Sequence, residues 1–166
     1  MPDPIAPPVA RRATEAVELV CQALSDGDLD AALAQYENPA QLQTRARPAP
    51  GASPRDSLHE LMDLRLPVSL TIQEILQVSG LTVVICERRI SGLGPDCEPI
   101  RLRGYGFAAV RPRPDGAWRI AIDSWCLEAI PDEAAAELPP EPPEVPLGPA
   151  ADAVRGEGPG RAASTS

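Results

Sequence analysis

The hydrophobic period of the chain changes once, at Pro67, and that change does most to limit what it can fold into. Before it, apolar residues recur at helical spacing. Val17, Val20, Cys21 and Leu24 follow an N-cap expected at Thr14, and Gly27 offers a stop. Asp28 then caps a second helix with Leu29, Ala32, Leu33 and Tyr36 on one face, closed at Asn38-Pro39. Ser53-Pro54 opens a third, with proline at its first position and Leu58, Leu61 and Met62 turned inward. Beyond Pro67 the period falls to about two. Residues 69 to 78 (SLTIQEILQV) and 81 to 90 (LTVVICERRI) read as strands joined by Ser79-Gly80. Residues 100 to 111 (IRLRGYGFAAVR) and 117 to 126 (AWRIAIDSWC) read as two more, joined around Pro114-Asp115-Gly116. The plan predicted is α+β: three N-terminal helices packed on one face of a curved antiparallel sheet.

The curvature is expected from strand 100 to 111. One of its faces shows Ile100, Leu102, Gly104, Gly106, Ala108 and Val110; the other shows Arg101, Arg103, Tyr105, Phe107, Ala109 and Arg111. Glycine inside a strand weakens it unless the backbone must bend or be closely approached. Two glycines two residues apart therefore predict a strongly curved sheet, closing towards a cone-shaped barrel with an internal pocket. Periodicity does not say which of the two faces is concave.

The ends read differently. Residues 1 to 12 and 131 to 166 have no hydrophobic repeat, and the second segment carries eight of the 21 prolines. Such segments bury too little apolar surface to offset the entropy of ordering, so both are expected to be disordered around a single domain at 13 to 130. The opening MPDPIAPPVARR has no apolar h-region and does not read as a secretory signal. No run approaches the ~18 apolar residues of a membrane span. Cys21, Cys86, Cys97 and Cys126 include no CxxC pair, which argues against structural zinc and dithiol redox chemistry. A cytoplasmic, reducing location is therefore expected.

Charge excludes further classes. The chain carries a formal net charge of −9, of which residues 131 to 166 contribute −5. A domain near neutrality with an acidic tail offers no steering towards nucleic acid or anionic lipid. All 15 basic residues are arginine, which reads as compositional bias before it reads as an arginine site.

Three stretches carry a resemblance: ALSDGDLDAALAQYENPA (23 to 40), PRDSLHELM (54 to 62) and PDGAWRIAIDSW (114 to 125). Together they resemble the nuclear transport factor 2-like superfamily, near its SnoaL-like and ketosteroid-isomerase-like bacterial members, over residues 13 to 128. The resemblance implies a curved sheet wrapped by three helices, a pocket inside the cone, and commonly a homodimer through the outer sheet face. It does not carry the isomerase chemistry across. The general base of those enzymes falls near Thr44, the oxyanion tyrosine on Val20, and the second acid near Phe107 to Ala109, where no carboxylate stands. The Arg-x-Asp strand signature of the related epoxide hydrolases is absent too.

The remaining candidates are single residues. Asp123 lies in the apolar run IAIDSW, where desolvation would raise its pKa towards that of a general base; the alternative is a pairing with Arg119 on the same nominal face. Glu87 and Arg89 form either a polar pocket floor or a solvated strand end. Arg103 beside Tyr105 suits an anionic ligand or a polar dimer face. Tyr36 and Trp125 are candidate pocket residues, while Trp118 reads as core. His59, the lone histidine, reads as a surface helix residue. No metal site or cofactor motif is recognisable. The function predicted is binding of a small, mostly apolar molecule without catalysis. The rivals are a SnoaL-like cyclase or isomerase with Asp123 as base, and a protein-interaction module.

Overall fold

A computed structural model describes residues 6–44 and 53–131. Most of the tail predicted at 131 to 166, and residues 1–5 of the predicted N-terminal arm, lie outside the described residues. Within 6–12, Ala10 is fully buried, and its carbonyl accepts the Trp118 N–H at 2.9 Å.

Helix α1 spans Ala13–Asp26. It begins one residue before the expected cap, with Arg12 in the N-cap position, and the Glu15 carboxylate accepts the Arg11 N–H. It ends as predicted at Gly27, whose φ of 73° is open to glycine at little cost. The inward stripe Ala13, Ala16, Val17, Val20, Cys21 and Leu24 is buried. Helix α2 is only Leu29–Leu33, capped by the Asp28 side chain on the Ala31 N–H at 2.9 Å. Helix α3, Pro54–Met62, opens with the capping box Ser53–Asp56 and Pro54 in its first turn.

The sheet corrects one expectation. Tyr36 does not continue the second helix but opens a strand, β1, over Tyr36–Gln43. The other strands are β2 Val68–Val78, β3 Leu81–Leu93, β4 Pro99–Pro112 and β5 Trp118–Ala129. Their order is β1-β5-β4-β3-β2, with β1 parallel to β5 and every other pair antiparallel. The architecture is therefore α+β with a mixed five-stranded sheet, open and curled, in place of a wholly antiparallel one. Strand β1 escaped the sequence because YENPAQLQ lacks strand alternation. Pro39 has no N–H to give the ladder, and the β1–β5 register shifts between Tyr36 and Gln41.

A second irregularity decides which way the β5 side chains point. The β4–β5 register shifts between Ala109 and Val110, so that Ile120 and Ile122 face consecutive residues of β4 and Ala121 is the extra one. Strict alternation would put Ile120 and Ile122 on one side. Instead Ile120 is fully buried, Ile122 is exposed, and Asp123 and Trp125 turn inward with no exposure. The helices cover this inner face. There Val17, Val20, Leu24, Leu58, Val84, Cys86, Val110, Ile120 and Trp125 form one cluster, with Leu61, Met62, Leu70, Ile72 and Trp118 packed against it.

Candidate functional site in the sheet interior

Three elements bring polar side chains into that apolar cluster. Strand β3 supplies Arg88, on the same face as Val84, Cys86 and Ile90. Strand β5, redirected by its bulge, supplies Asp123 and Trp125. Tyr36 comes from the start of β1. Arg88 and Asp123 are both fully buried, with the Arg88 Nη2 3.1 Å from one carboxylate oxygen and donating to the other at 3.3 Å. The Tyr36 hydroxyl donates to Asp123 Oδ2 at 2.8 Å. The Arg88 guanidinium lies 4.4 Å from the centroid of the Trp125 ring, where the ring quadrupole attracts it.

The ionisation states follow from these neighbours. Burial and the Asp123 charge push the Tyr36 hydroxyl well above its ordinary value, so it keeps its proton and acts as a donor. Burial works against the Arg88 charge, but Asp123 more than offsets it and holds the guanidinium above its usual range. The thiol of Cys21 is pushed up to about 11 by burial, with the Arg88 charge opposing. Burial raises Cys86 in the same way.

These thiols give the domain an alkaline weakness. Below pH 9.0, the ordinary thiol value, Cys21 is neutral in folded and unfolded chains alike, and its contribution to stability is fully present. Between pH 9 and about 11 the unfolded chain ionises first and stability falls. Thermal melts from pH 8 to 11 are expected to show a falling midpoint across that window. The fall should be shallower in Cys21→Ala; an equal slope in the two proteins would contradict the burial of this thiol.

The pair is incompletely satisfied. Among the described residues, Arg88 Nε and Nη1, Asp123 Oδ1 and Trp125 Nε1 are buried with no hydrogen-bond partner. Buried polar groups are paired in the great majority of cases, so four orphans around one ion pair mark this spot out.

The sequence candidates divide between the two sides of the sheet. Tyr36, Asp123 and Trp125 meet around Arg88. Asp123 pairs with Arg88, not with Arg119. Glu87, Arg103 and Tyr105 lie on the outer face, where Glu87 stands opposite Tyr105 and Arg89 opposite Arg103. There Glu87 is buried in a hydrogen-bonded ion pair with Arg89, and Arg103 sits 5.2 Å over the Tyr105 ring. Tyr105, Phe107 and Ile122 are exposed on this face, the one to which the resemblance assigns a dimer. His59 is exposed and 3.3 Å from Asp63. Thr44, where the resemblance would put the isomerase base, is buried, and its carbonyl accepts the Leu127 N–H. Arg88 is the residue that sequence reasoning missed. A partial signal was present in CERRI: alternation continued from Val84 and Cys86 puts Arg88 on the buried side, while the equally apolar phase of Val83 and Ile85 would put Glu87 and Arg89 there.

Among the described residues no group of three or more His, Cys, Asp or Glu is placed to hold a metal ion. No helix among them is long and apolar enough to cross a membrane.

No family model matches the chain, and a search of curated proteins finds no match either. Solved structures do match. One is a conserved protein from Planctomyces limnophilus, with a TM-score of 0.62 at 16% identity, over 70% of this chain and 94% of that one. Another is an NTF-2 like protein of unknown function from Shewanella oneidensis, with a TM-score of 0.53 at 17% identity, over 68% and 94%. The chain has the nuclear transport factor 2-like fold. A ketosteroid isomerase-like protein from Erwinia carotovora atroseptica shares it, with a TM-score of 0.56 at 19% identity, over 72% and 94%. At these identities the likeness is one of fold, and the nuclear transport factor 2-like fold hosts unrelated activities.

Proposed function

We propose that this domain binds a small, mostly apolar molecule carrying a hydrogen-bond acceptor, in the sheet interior around Arg88, and that it does so without catalysis. One observation carries the reading: Arg88 and Trp125 are both without solvent exposure, yet present N–H groups that no described residue accepts. An unmet buried donor costs about 1–3 kcal/mol. A ligand carbonyl or hydroxyl oxygen meeting it recovers that cost on binding. The surrounding Leu58, Val84, Ile120 and Val20 side chains suit an apolar body.

The arrangement argues against the general-base alternative. Asp123 is committed to Arg88 and Tyr36. Taking up a substrate proton would neutralise the carboxylate that, alone among the described residues, pairs with a fully buried guanidinium, leaving a bare charge in a dry setting.

The test is the indole N–H signal of Trp125, isolated by Trp118→Phe, since the chain has two tryptophans. Titration of the protein with 2-decanone is expected to move that signal saturably, with the ketone recovered unchanged. Decane, which has no acceptor, should bind about tenfold or more weakly, since a hydrogen bond to a charged group contributes roughly 1.5–3 kcal/mol. Equal binding of ketone and alkane, or a ketone that leaves the Trp125 signal unmoved, overturns the proposal.

A further inference from the structure

Away from the interior, the edge where β1, β4 and β5 meet carries three arginines around one carboxylate. Glu37 on β1 accepts from Arg111 Nη2 at 2.7 Å, and Arg113 Nη1 stands 3.7 Å from its other oxygen. The Glu37 side chain is 12% exposed, whereas those of Arg111 and Arg113 are about half exposed. Arg119 on β5 completes the set. Its guanidinium meets no carboxylate among the described residues, and Nη1 donates only to the Trp118 carbonyl at 3.2 Å. Together with Asn38 these side chains line a groove of about 420 Å³.

Two features set this groove apart from an ordinary arginine-rich edge. Arg111 and Arg119 are direct partners in the antiparallel ladder, and like charges placed opposite each other destabilise a sheet. The local balance is three cations to one anion, in a chain whose net charge is −9. Glu37 thus answers only part of the positive charge it faces. We propose that the groove binds a dianionic phosphoryl group, free or on a small ester, with Arg119 as the uncommitted donor and Arg111 and Arg113 completing the cradle. Two negative charges match the local excess, and planar guanidinium forks fit phosphate oxygens in paired hydrogen bonds. A monocarboxylate would leave half the excess unmet. Tyr36 lines the inner wall of this groove and donates to Asp123 in the interior, so the two sites adjoin there. The phosphoryl cradle is made by the arginines and does not rest on the ligand reading around Arg88.

The experiment titrates the full chain at pH 8 and constant low ionic strength with inorganic phosphate, phenyl phosphate and, as control, chloride. Saturable shifts of the backbone amides of Glu37, Arg111 and Arg119 are expected with both phosphates and not with chloride. Whichever binds more tightly identifies the free ion or the ester as the source. Affinity should fall about tenfold in Arg119→Gln, a surface change that removes one of two facing like charges and so leaves the fold intact. Glu37→Gln should tighten binding, because it removes the competing carboxylate. Arg65→Gln, an exposed change elsewhere with the same charge difference, should change nothing. Shifts that chloride reproduces, or phosphate affinity unchanged in Arg119→Gln, would overturn the assignment.

Discussion

Arg88→Met is expected to lower the free energy of unfolding by about 3–5 kcal/mol, because it strands the Asp123 carboxylate without its cation in the interior. Both side chains of the pair are fully buried, so water does not take over the role of the lost partner. A small domain has roughly 5–15 kcal/mol of stability in total, so a large part of the margin goes with this one substitution. Asp123→Leu should be about as harmful from the other side, leaving a guanidinium whose Nε and Nη1 already lack acceptors. The double variant Arg88→Met/Asp123→Leu is the informative one. It removes both charges and leaves apolar groups of similar size, and such replacements are commonly neutral or stabilising. One cost remains, the Tyr36 hydroxyl that loses its acceptor, at about 1–3 kcal/mol. Urea melts of the four proteins should therefore show a double variant far more stable than the sum of the singles implies. If Arg88→Met lies within about 1 kcal/mol of the parent, near the lower end of single-site effects, the pair is hydrated and the interior site is not dry.

That pair also marks the limit of what the sequence displays. Local signals are legible where one residue decides one backbone feature. Gly27 ends α1, Asp28 caps α2, and Ser53-Pro54 starts α3, each through a hydrogen bond or dihedral that depends on near neighbours in the chain. The four long strands are legible because an inward and an outward face alternate with period two over much of each, in β2 as far as Ile72 and in β5 beyond its bulge. Strand β1 is not, since its conformation comes from pairing with β5, more than 80 residues away in the chain. The orientation of Asp123 is hidden for a related reason. It depends on a bulge at Ala121, and one extra residue reverses every later side chain on the strand. Arg88 was legible in part, as one of two phases for a strand polar on both faces at 87 to 89. Only the covering helices decide between those phases. The same covering separates Tyr36, Asp123 and Trp125 from Glu87, Arg103 and Tyr105, which the sequence offered as candidates without assigning each to a face.

The glycines of β4 are where sequence and fold meet most closely, and they separate cleanly by substitution. A Cβ added at Gly106 would lie 1.7 Å from the Ser124 carbonyl oxygen and 2.8 Å from the Trp125 Cα. Both are backbone atoms of β5, which is held on its other side by β1, so they cannot swing aside as a flexible side chain would. At Gly104 the added carbon would meet the Cys126 carbonyl oxygen and a Leu127 methyl, each at 3.1 Å, contacts that relax with a shift of a few tenths of an ångström. Gly104→Ala also stiffens the unfolded chain, which favours folding by about 0.4–1 kcal/mol. The expected result is a near-neutral Gly104→Ala beside a Gly106→Ala that costs about 3 kcal/mol, the upper part of the usual range for overpacking. The damage should be local in origin, because Gly106 is the ladder partner of Trp125. Prising β4 from β5 there moves the ring on which the Arg88 guanidinium rests and the strand that carries Asp123. Gly106→Ala should therefore shift the Trp125 indole signal even under conditions where the protein stays folded, while Gly104→Ala leaves it in place. Equal stabilities for the two variants would mean that the close approach of β5 to Gly106 is not what curls the sheet around its polar centre.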